Sequence, residues 1–347
     1  MADNIQISNQ TRSLYTQLGF RDLNGDGRIT GDEPGYEGRF DPDGDGISPR
    51  EAWNEYCSHI DEYPHVKIEH FKNPFETDQD LVDFTHEVIE GSGSEVETAQ
   101  RLFFSITPVD KIKDDPGFES YEGKKKDMPY DNDPKKRVQG GYANASEAFD
   151  NGYAQCSEYS FLYTAMAREA GLNASVVHVN VNNNGRPVNH LCVLVTLSDG
   201  REVLVDPAYG EFDIKHMEYS ALDDAGALAS HYYNSGNALL DSGNEAVAFQ
   251  YMLAAIECRP DFASAHYQLA RIYYGREDFG SAISHLCSAI EFAPESMMLH
   301  RLLTDYCARA DNFGPAIELY ERLLESEPGN ELYLRRLERN RREAGVL

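Results

Sequence analysis

The chain has 347 residues, enough for about two or three domains of ordinary size with buried cores. Asp and Glu number 59 against 31 Lys and Arg, so the formal net charge is −28, while a hydrophobic fraction of 41% is that of a globular protein. Because like charges repel, this charge disfavours binding along a nucleic-acid backbone or an anionic membrane surface, and it favours cations and basic partners.

The cellular compartment is suggested by three features of the sequence. No stretch of about 20 apolar residues, the length that spans a bilayer, occurs in it. The first residues, MADNIQISNQ, have neither the basic nor the apolar region of a signal peptide. The cysteines form no CxxC pair and no dense framework, as is typical of free thiols in a reducing compartment. We therefore expect a cytoplasmic protein.

The pattern of residues divides the chain into three zones, and we predict one domain for each. Residues 1–60 are rich in Asp and Gly, residues 61–225 mix helical and strand patterns, and residues 226–347 are helical with an internal repeat. This succession predicts an α+β centre followed by an all-α repeat region.

The first acidic loop, DLNGDGRITGDE at 22–33, alternates carboxylate and amide side chains, with Gly27 in the sixth place and Glu33 in the twelfth. It resembles an EF-hand calcium loop. Ca²⁺ takes six to eight oxygen ligands, the glycine allows the sharp turn, and the final glutamate binds through both oxygens. The resemblance implies ligation by Asp22, Asn24, Asp26, the Arg28 carbonyl, Thr30 (directly or through water) and Glu33.

The second acidic loop, DPDGDGISPRE at 41–51, is one residue shorter than the usual pattern, because its apolar residue comes one place early. It resembles shortened DxDGDG arrays and dockerin-like loops, with helices expected at 12–20 and 49–60. The implied ligands are Asp41, Asp43, Asp45, Ile47 and Glu51. The alternative is a cluster of Asp-Gly turns that binds nothing, although neighbouring carboxylates without a cation repel one another.

The central zone begins with apolar spacing typical of helices at 78–90 and 95–106, with Ser94 as the N-cap of the second. Residues 108–141 are polar and predict a loop. This loop holds two basic islands, at 124–126 and 135–137, which are either solvated or bind an acidic partner.

Cys156 is predicted at the N-terminus of a helix that Gly171 stops, where the amide groups and the helix dipole favour a thiolate. Strands are predicted at 175–182, from near His190, and through EVLVD to Asp206. A hairpin centred near Ser198 would place His190 opposite Asp206. Cysteine, histidine and aspartate are the residue types that serve as nucleophile, base and orienting group in thiol catalysis.

Over about residues 75–215 the sequence resembles the transglutaminase-like superfamily. The matching segments are CSEYSFL, AREAGLNASVV, NHLCV and LVDP. The resemblance implies a papain/transglutaminase-like α+β core, in which the helix-borne Cys156 is the nucleophile, His190 the general base and Asp206 its orienting residue. Ala154 stands where the family often has glycine. The oxyanion donor is open among the Cys156 amide, Gln155 and Tyr153. The superfamily also contains non-catalytic modules.

The C-terminal zone repeats with a period of 34 residues, set by Pro260, Pro294 and Pro328. Small residues recur in register, and Thr304 and Leu323 depart from this rule in the third repeat. The pattern resembles the tetratricopeptide repeat over about 229–330, followed by a capping helix at 331–345. Such stacks bind a peptide or a protein partner, or they act as a brace.

Together these patterns resemble a SirB1-like arrangement, a transglutaminase-like core joined to tetratricopeptide repeats, with an EF-hand-like pair in front. We expect a calcium-binding cysteine hydrolase of the protease or amidase/deamidase type that acts on a protein or peptide. The repeats would recruit a protein or peptide partner, and neither nucleic acid nor membrane is expected to bind. Two alternatives stay open: a non-catalytic calcium-dependent interaction scaffold and an acyl-transferring crosslinker.

Overall fold

The computed structural model describes residues 73–130 and 143–346. These residues form an antiparallel sheet with helices packed on it, followed by a run of helices. The predicted fold class, an α+β core with a helical repeat region, is therefore confirmed. The acidic loops, the helices predicted at 12–20 and 49–60, and the basic island at 135–137 lie outside the described residues.

In the described residues, six helices precede the sheet. The first two begin where the sequence predicts, because Asp78 and Ser94 accept hydrogen bonds from the amides of Leu81 and Glu97 at 2.9 and 3.2 Å. Two short helices lie within the region predicted to be a loop. The six are α1 (Gln79–Ile89), α2 (Glu95–Ile106), α3 (Val109–Ile112), α4 (Pro116–Glu119), α5 (Ala145–Asn151) and α6 (Cys156–Glu169).

The sheet has five strands in the order β4-β3-β2-β1-β5. Alternate residues of the central strand face two different cores. Leu191, Val193 and Val195 pack in the cluster that contains the buried residues of α6, whereas Cys192 and Leu194 pack on the other side. The strands are β1 (Asn173–Val181), β2 (Pro187–Thr196), β3 (Glu202–Asp206), β4 (Glu211–Phe212) and β5 (Glu218–Ala221).

The register between β2 and β3 differs from the prediction. The pairs run from Thr196 with Glu202 to Val193 with Val205, so the hairpin is centred on residue 199 and not on Ser198. Continued by one step, this register puts Asp206 opposite Cys192. His190 is two residues further along β2, on the same side of the strand, and reaches Asp206 diagonally.

The basic island at 124–126 packs against the protein. Lys125 donates to the carbonyls of Phe104 and Thr107 at 2.8 and 2.6 Å, and burial lowers its pKa to about 8. Lys126 lies 3.6 Å from the centre of the Phe149 ring, and Lys124 pairs with Glu87. Lys125 and Lys126 are therefore partly buried against the protein, whereas Lys124 is exposed, as the solvated-loop interpretation expects.

The repeat region consists of α7 (Asp224–Asp241), α8 (Glu245–Cys258), α9 (Ala263–Gly275), α10 (Phe279–Phe292), α11 (Met297–Ala310), α12 (Gly314–Ser326) and α13 (Glu331–Glu343). Pro260, Pro294 and Pro328 each come just after the end of α8, α10 and α12. Gly236 shows why small residues recur, since a Cβ there would lie 3.3 Å from both the Ala248 carbonyl oxygen and the Tyr251 Cβ of the neighbouring helix α8.

Two histidines one repeat apart make equivalent contacts that the sequence pattern did not indicate. Nε2 of His266 donates to the Pro260 carbonyl at 2.9 Å, and Nε2 of His300 donates to the Pro294 carbonyl at 2.8 Å. Each bond ties the first helix of a repeat to the end of the preceding one. Within the described ranges, no helix is long and apolar enough to cross a membrane.

Candidate active site

Cys156 is the first residue of α6, at the point where an extended segment turns into the helix. The buried Glu158 stabilises this turn. Its Oε2 accepts a hydrogen bond from the Gln155 amide at 2.9 Å, and its Oε1 accepts one from the Ala143 amide at 3.0 Å. A first helical turn has amides without partners inside the helix, and these favour a negative charge at this position.

Among the cysteines that the structure describes, Cys156 is partly exposed and the others are buried. Burial raises the pKa of Cys287 and of Cys307 to about 12, and it also raises the pKa of Cys192. These thiols stay protonated and enclosed at neutral pH. Of the described cysteines, Cys156 is the one placed for reaction with a molecule from solution.

His190 is held by Asp206. The Nε2 atom of His190 lies 2.6 Å from Oδ2 of Asp206, and both side chains are buried. The other aspartate oxygen, Oδ1, accepts the Tyr209 amide at 3.2 Å. Because a carboxylate only accepts hydrogen bonds, Nε2 carries the proton and Nδ1 is left for another partner.

Cys156 is the second acidic group that acts on His190. Burial lowers the pKa of His190, but hydrogen bonds to Asp206 and Cys156, together with their negative charges, outweigh it and raise the pKa to about 10. A cation is therefore favoured between the two acidic groups. The structure brings together the three residues that the sequence singled out, called the triad below.

Ala154, where the sequence departs from glycine, is accommodated. It is buried, and it forms an isolated parallel bridge with Tyr130. Its methyl group therefore does not prevent the chain from turning into α6.

Comparison with family models identifies the domain that contains these three residues. The model of the transglutaminase-like superfamily matches residues 117–207, a range that includes all members of the triad. The chain contains a transglutaminase-like domain. The model of the tetratricopeptide repeat matches residues 263–296, which cover α9 and α10. No curated protein matched the chain.

The transglutaminase-like domain holds the turn after Asp206 by a close contact with α3. Gly210 has φ of +74°, and a Cβ there would lie 2.6 Å from the Lys111 Cβ and 3.1 Å from its carbonyl oxygen. Only glycine fits both the left-handed backbone and this approach. The contact fixes Tyr209, whose amide bonds Asp206.

A row of tyrosine rings borders the triad. The Tyr209 ring lies 4.7 Å from the His190 ring, with 53% of the residue exposed. Tyr130 stacks 6.4 Å from Tyr209, and Tyr159 stacks 6.5 Å from Tyr130. The row runs from the domain core to the surface and gives the site an apolar side.

Two further titratable residues of the transglutaminase-like domain interact with His190 and Asp206. Burial and the Asp206 charge raise the pKa of Glu211, against the effect of His190. Burial lowers the pKa of His216, and His190 adds to that effect while Asp206 opposes it. Sequence reasoning missed both, as it missed Tyr209. Tyr209 and Glu211 follow the LVDP motif closely, and this proximity could have indicated that they lie near the site. No feature of the sequence indicated His216.

The predicted calcium ligands all lie between residues 22 and 51, outside the described residues. In the described part of the chain, no group of three or more His, Cys, Asp or Glu side chains is arranged to hold a metal ion.

Proposed function

We propose that the chain is a thiol hydrolase that cleaves an amide bond of a protein or peptide through Cys156, His190 and Asp206. One observation carries this proposal: the buried His190 is hydrogen-bonded to Asp206 at 2.6 Å and interacts electrostatically with Cys156, which begins a helix. A thiol paired with an oriented imidazole at a helix N-terminus is suited to nucleophilic attack.

In the acylation step, the Cys156 sulfur attacks the carbonyl carbon of the amide. A C–S bond forms and the C–N bond breaks. The thiol proton, held by His190, passes to the nitrogen of the leaving amine, and Asp206 keeps the ring oriented throughout. The Cys156 amide, at the first position of α6, is the proposed donor to the oxyanion.

In the second step, a water molecule resolves the thioester. Its oxygen forms a bond to the carbonyl carbon, the C–S bond breaks, and a water proton returns through His190 to the sulfur. An amine in place of water would make the chain a crosslinker. We favour water, because a crosslinker must shield its thioester from water and nothing in the sequence marks such a shield.

Alkylation by iodoacetamide tests the nucleophile. The assay uses a Cys57→Ser background, because Cys57 lies outside the described residues and the described cysteines other than Cys156 are buried. We expect Cys156 to react faster than an ordinary thiol, and we expect His190→Ala to remove the excess rate. His86→Ala is the matched control, because the His86 side chain is 57% exposed and contacts Glu169, at the opposite end of α6 from Cys156. Equal rates at Cys156 in wild type and His190→Ala would favour the alternative, a non-catalytic scaffold.

The repeats supply the second part of the proposal. Stacked helical pairs present an extended surface suited to a peptide or a protein, and a tetratricopeptide repeat supports protein binding. We propose that this surface recruits the partner that is presented to Cys156. Calcium bound by the acidic loops is a further part of the proposal, and it rests on ligand spacing alone.

A further inference from the structure

Tyr209 is an exposed aromatic residue beside the triad. Its ring lies 4.7 Å from the His190 ring, at an angle of 43°, and yet 53% of the residue is exposed to solvent. Binding sites for small molecules and peptides are lined mainly by apolar and aromatic side chains around a few polar groups. Tyr209 therefore has the position and the chemical character of a residue that contacts a substrate.

The protein fixes the position of Tyr209 through its backbone and its ring. The amide donates to Oδ1 of Asp206 at 3.2 Å, and the next residue, Gly210, closely approaches α3. The ring plane lies within 16° of that of Tyr130, which in turn lies within 13° of that of the buried Tyr159. A side chain that is already positioned loses little conformational entropy when it binds a partner.

The Tyr209 ring is uncharged at neutral pH. Burial and the negative charges of Cys156 and Asp206 raise the pKa of its hydroxyl above the ordinary value of 10.0. Its exposed surface is therefore that of a neutral aromatic ring, and such rings pair with other rings in offset-stacked or edge-to-face arrangements.

The leaving amine is the part of the substrate that comes closest to His190. When the C–N bond breaks, His190 gives a proton to the leaving nitrogen, so this nitrogen must lie within hydrogen-bond distance of the imidazole. A group bonded to the nitrogen then extends past the His190 ring, where the neighbouring ring is that of Tyr209. The acyl part of the substrate is bonded to the Cys156 sulfur instead.

We propose that Tyr209 is a specificity-determining residue that pairs with an aromatic group on the leaving side of the scissile bond. This rests on the proposed thiol chemistry. The Cys156 sulfur bonds to the carbonyl carbon, the C–N bond breaks, and the amine leaves with its aromatic group and the proton from His190. In a peptide, this group is the side chain of the residue after the cleaved bond. Deamidation releases ammonia, which has no group for the ring to contact.

Two acetyl esters test the full-length chain. Phenyl acetate has an aromatic leaving group, and hexafluoroisopropyl acetate has a non-aromatic one of comparable acidity, while both place the same acetyl group on Cys156. Mass spectrometry of the acid-quenched chain measures the rate of acetylation. We expect Tyr209→Ala to slow acetylation by phenyl acetate about three- to tenfold relative to the other ester, the effect of one lost aromatic pair.

Further variants separate recognition from structure. Both Tyr209→Ala and Tyr209→Phe keep the backbone amide that bonds Asp206, and Tyr209→Phe, which keeps the ring, should keep the wild-type ratio of the two rates. Phe292→Ala is the matched control, because Phe292 is 45% exposed on α10 of the repeat region, and its ratio should also match wild type. A ratio unchanged in Tyr209→Ala, including an equal fall of both rates, or a ratio lost in Tyr209→Phe would overturn the proposal.

The same esters test the chemistry on which the proposal depends. Acetylation that persists in Cys156→Ala at the wild-type rate, or no acetylation of Cys156 in wild type, would refute the thiol hydrolase and the Tyr209 contact with it. Acetylation that requires Cys156 and His190, with a ratio indifferent to Tyr209, would remove the aromatic contact and leave the thiol hydrolase intact.

Discussion

Arg168 and Asp224 form a buried ion pair that joins the helix of the candidate nucleophile to the repeat region. Arg168 is near the end of α6, Asp224 is the first residue of α7, and the guanidinium bonds both carboxylate oxygens, at 2.6 and 3.2 Å. The side chains are 10% and 3% exposed. Arg168 also donates to the Ala174 carbonyl of β1 at 2.9 Å. One residue thus contacts the helix layer, the sheet and the repeats.

Removing one partner of this pair leaves a buried charge uncompensated. We expect Asp224→Ala to lower the free energy of unfolding by about 3 kcal/mol or more, measured by urea denaturation. Asp199→Ala is the control, because it breaks an exposed pair with Arg201, and we expect its midpoint to match wild type. If the two variants unfold alike, the buried pair is not a stabilising link.

The second prediction concerns Gly210, in the turn after Asp206. An alanine there must adopt φ of +74° and displace Lys111, whereas Gly200 has φ of +82° with no atom within 4 Å of its Cβ position. Both substitutions should cost about 1–2 kcal/mol from the left-handed backbone, and Gly210→Ala should cost more.

The two glycine variants also differ in their distance from the triad. Gly210→Ala should slow the iodoacetamide alkylation of Cys156, because the displaced turn carries Tyr209 away from Asp206. Gly200→Ala should leave that rate unchanged. Loss of reactivity in both variants would mean that stability, and not the position of the turn, controls the thiol.

His190 predicts how stability depends on pH. Its pKa rises from 6.5 to about 10 on folding. A group with a raised pKa contributes stability that is fully present below the unfolded value of about 6.5 and is lost as pH rises through about 10. We therefore expect wild type to lose free energy of unfolding between these values relative to His190→Gln, in urea titrations at several pH values. Parallel curves for the two proteins would contradict the raised pKa.

The helices that position the site could be predicted because their signals are local. Asp78 and Ser94 cap α1 and α2, and the repeat prolines end α8, α10 and α12. The residues of the triad could be predicted because they lie in sequence motifs that resemble a known superfamily, such as LVDP for Asp206.

The hairpin register could not be predicted, because it depends on the geometry of one loop. Leu197 pairs with Arg201 around a three-residue loop, and Gly200 takes the left-handed position typical of such loops. The sequence SDGR also fits a shorter turn, centred near Ser198, which would place Asp206 opposite His190. With the longer loop, the residue opposite Asp206 is Cys192. His216 was beyond reach for another reason. Its position depends on the strand order β4-β3-β2-β1-β5, which the local pattern does not encode.

Calcium binding by the acidic loops stays a prediction from the sequence. Isothermal titration of the full-length chain with Ca²⁺ should show binding, and Asp22→Ala and Asp41→Ala should each remove part of the heat, since each loses a carboxylate ligand from one loop. Asp199→Ala, an exposed aspartate of the β2–β3 loop, is the control. If calcium also acts on the enzyme, chelation should change the alkylation rate of Cys156. Heat without such a change would assign the ion a structural role, and neither heat nor a thermal shift would show that the loops are Asp-Gly turns only.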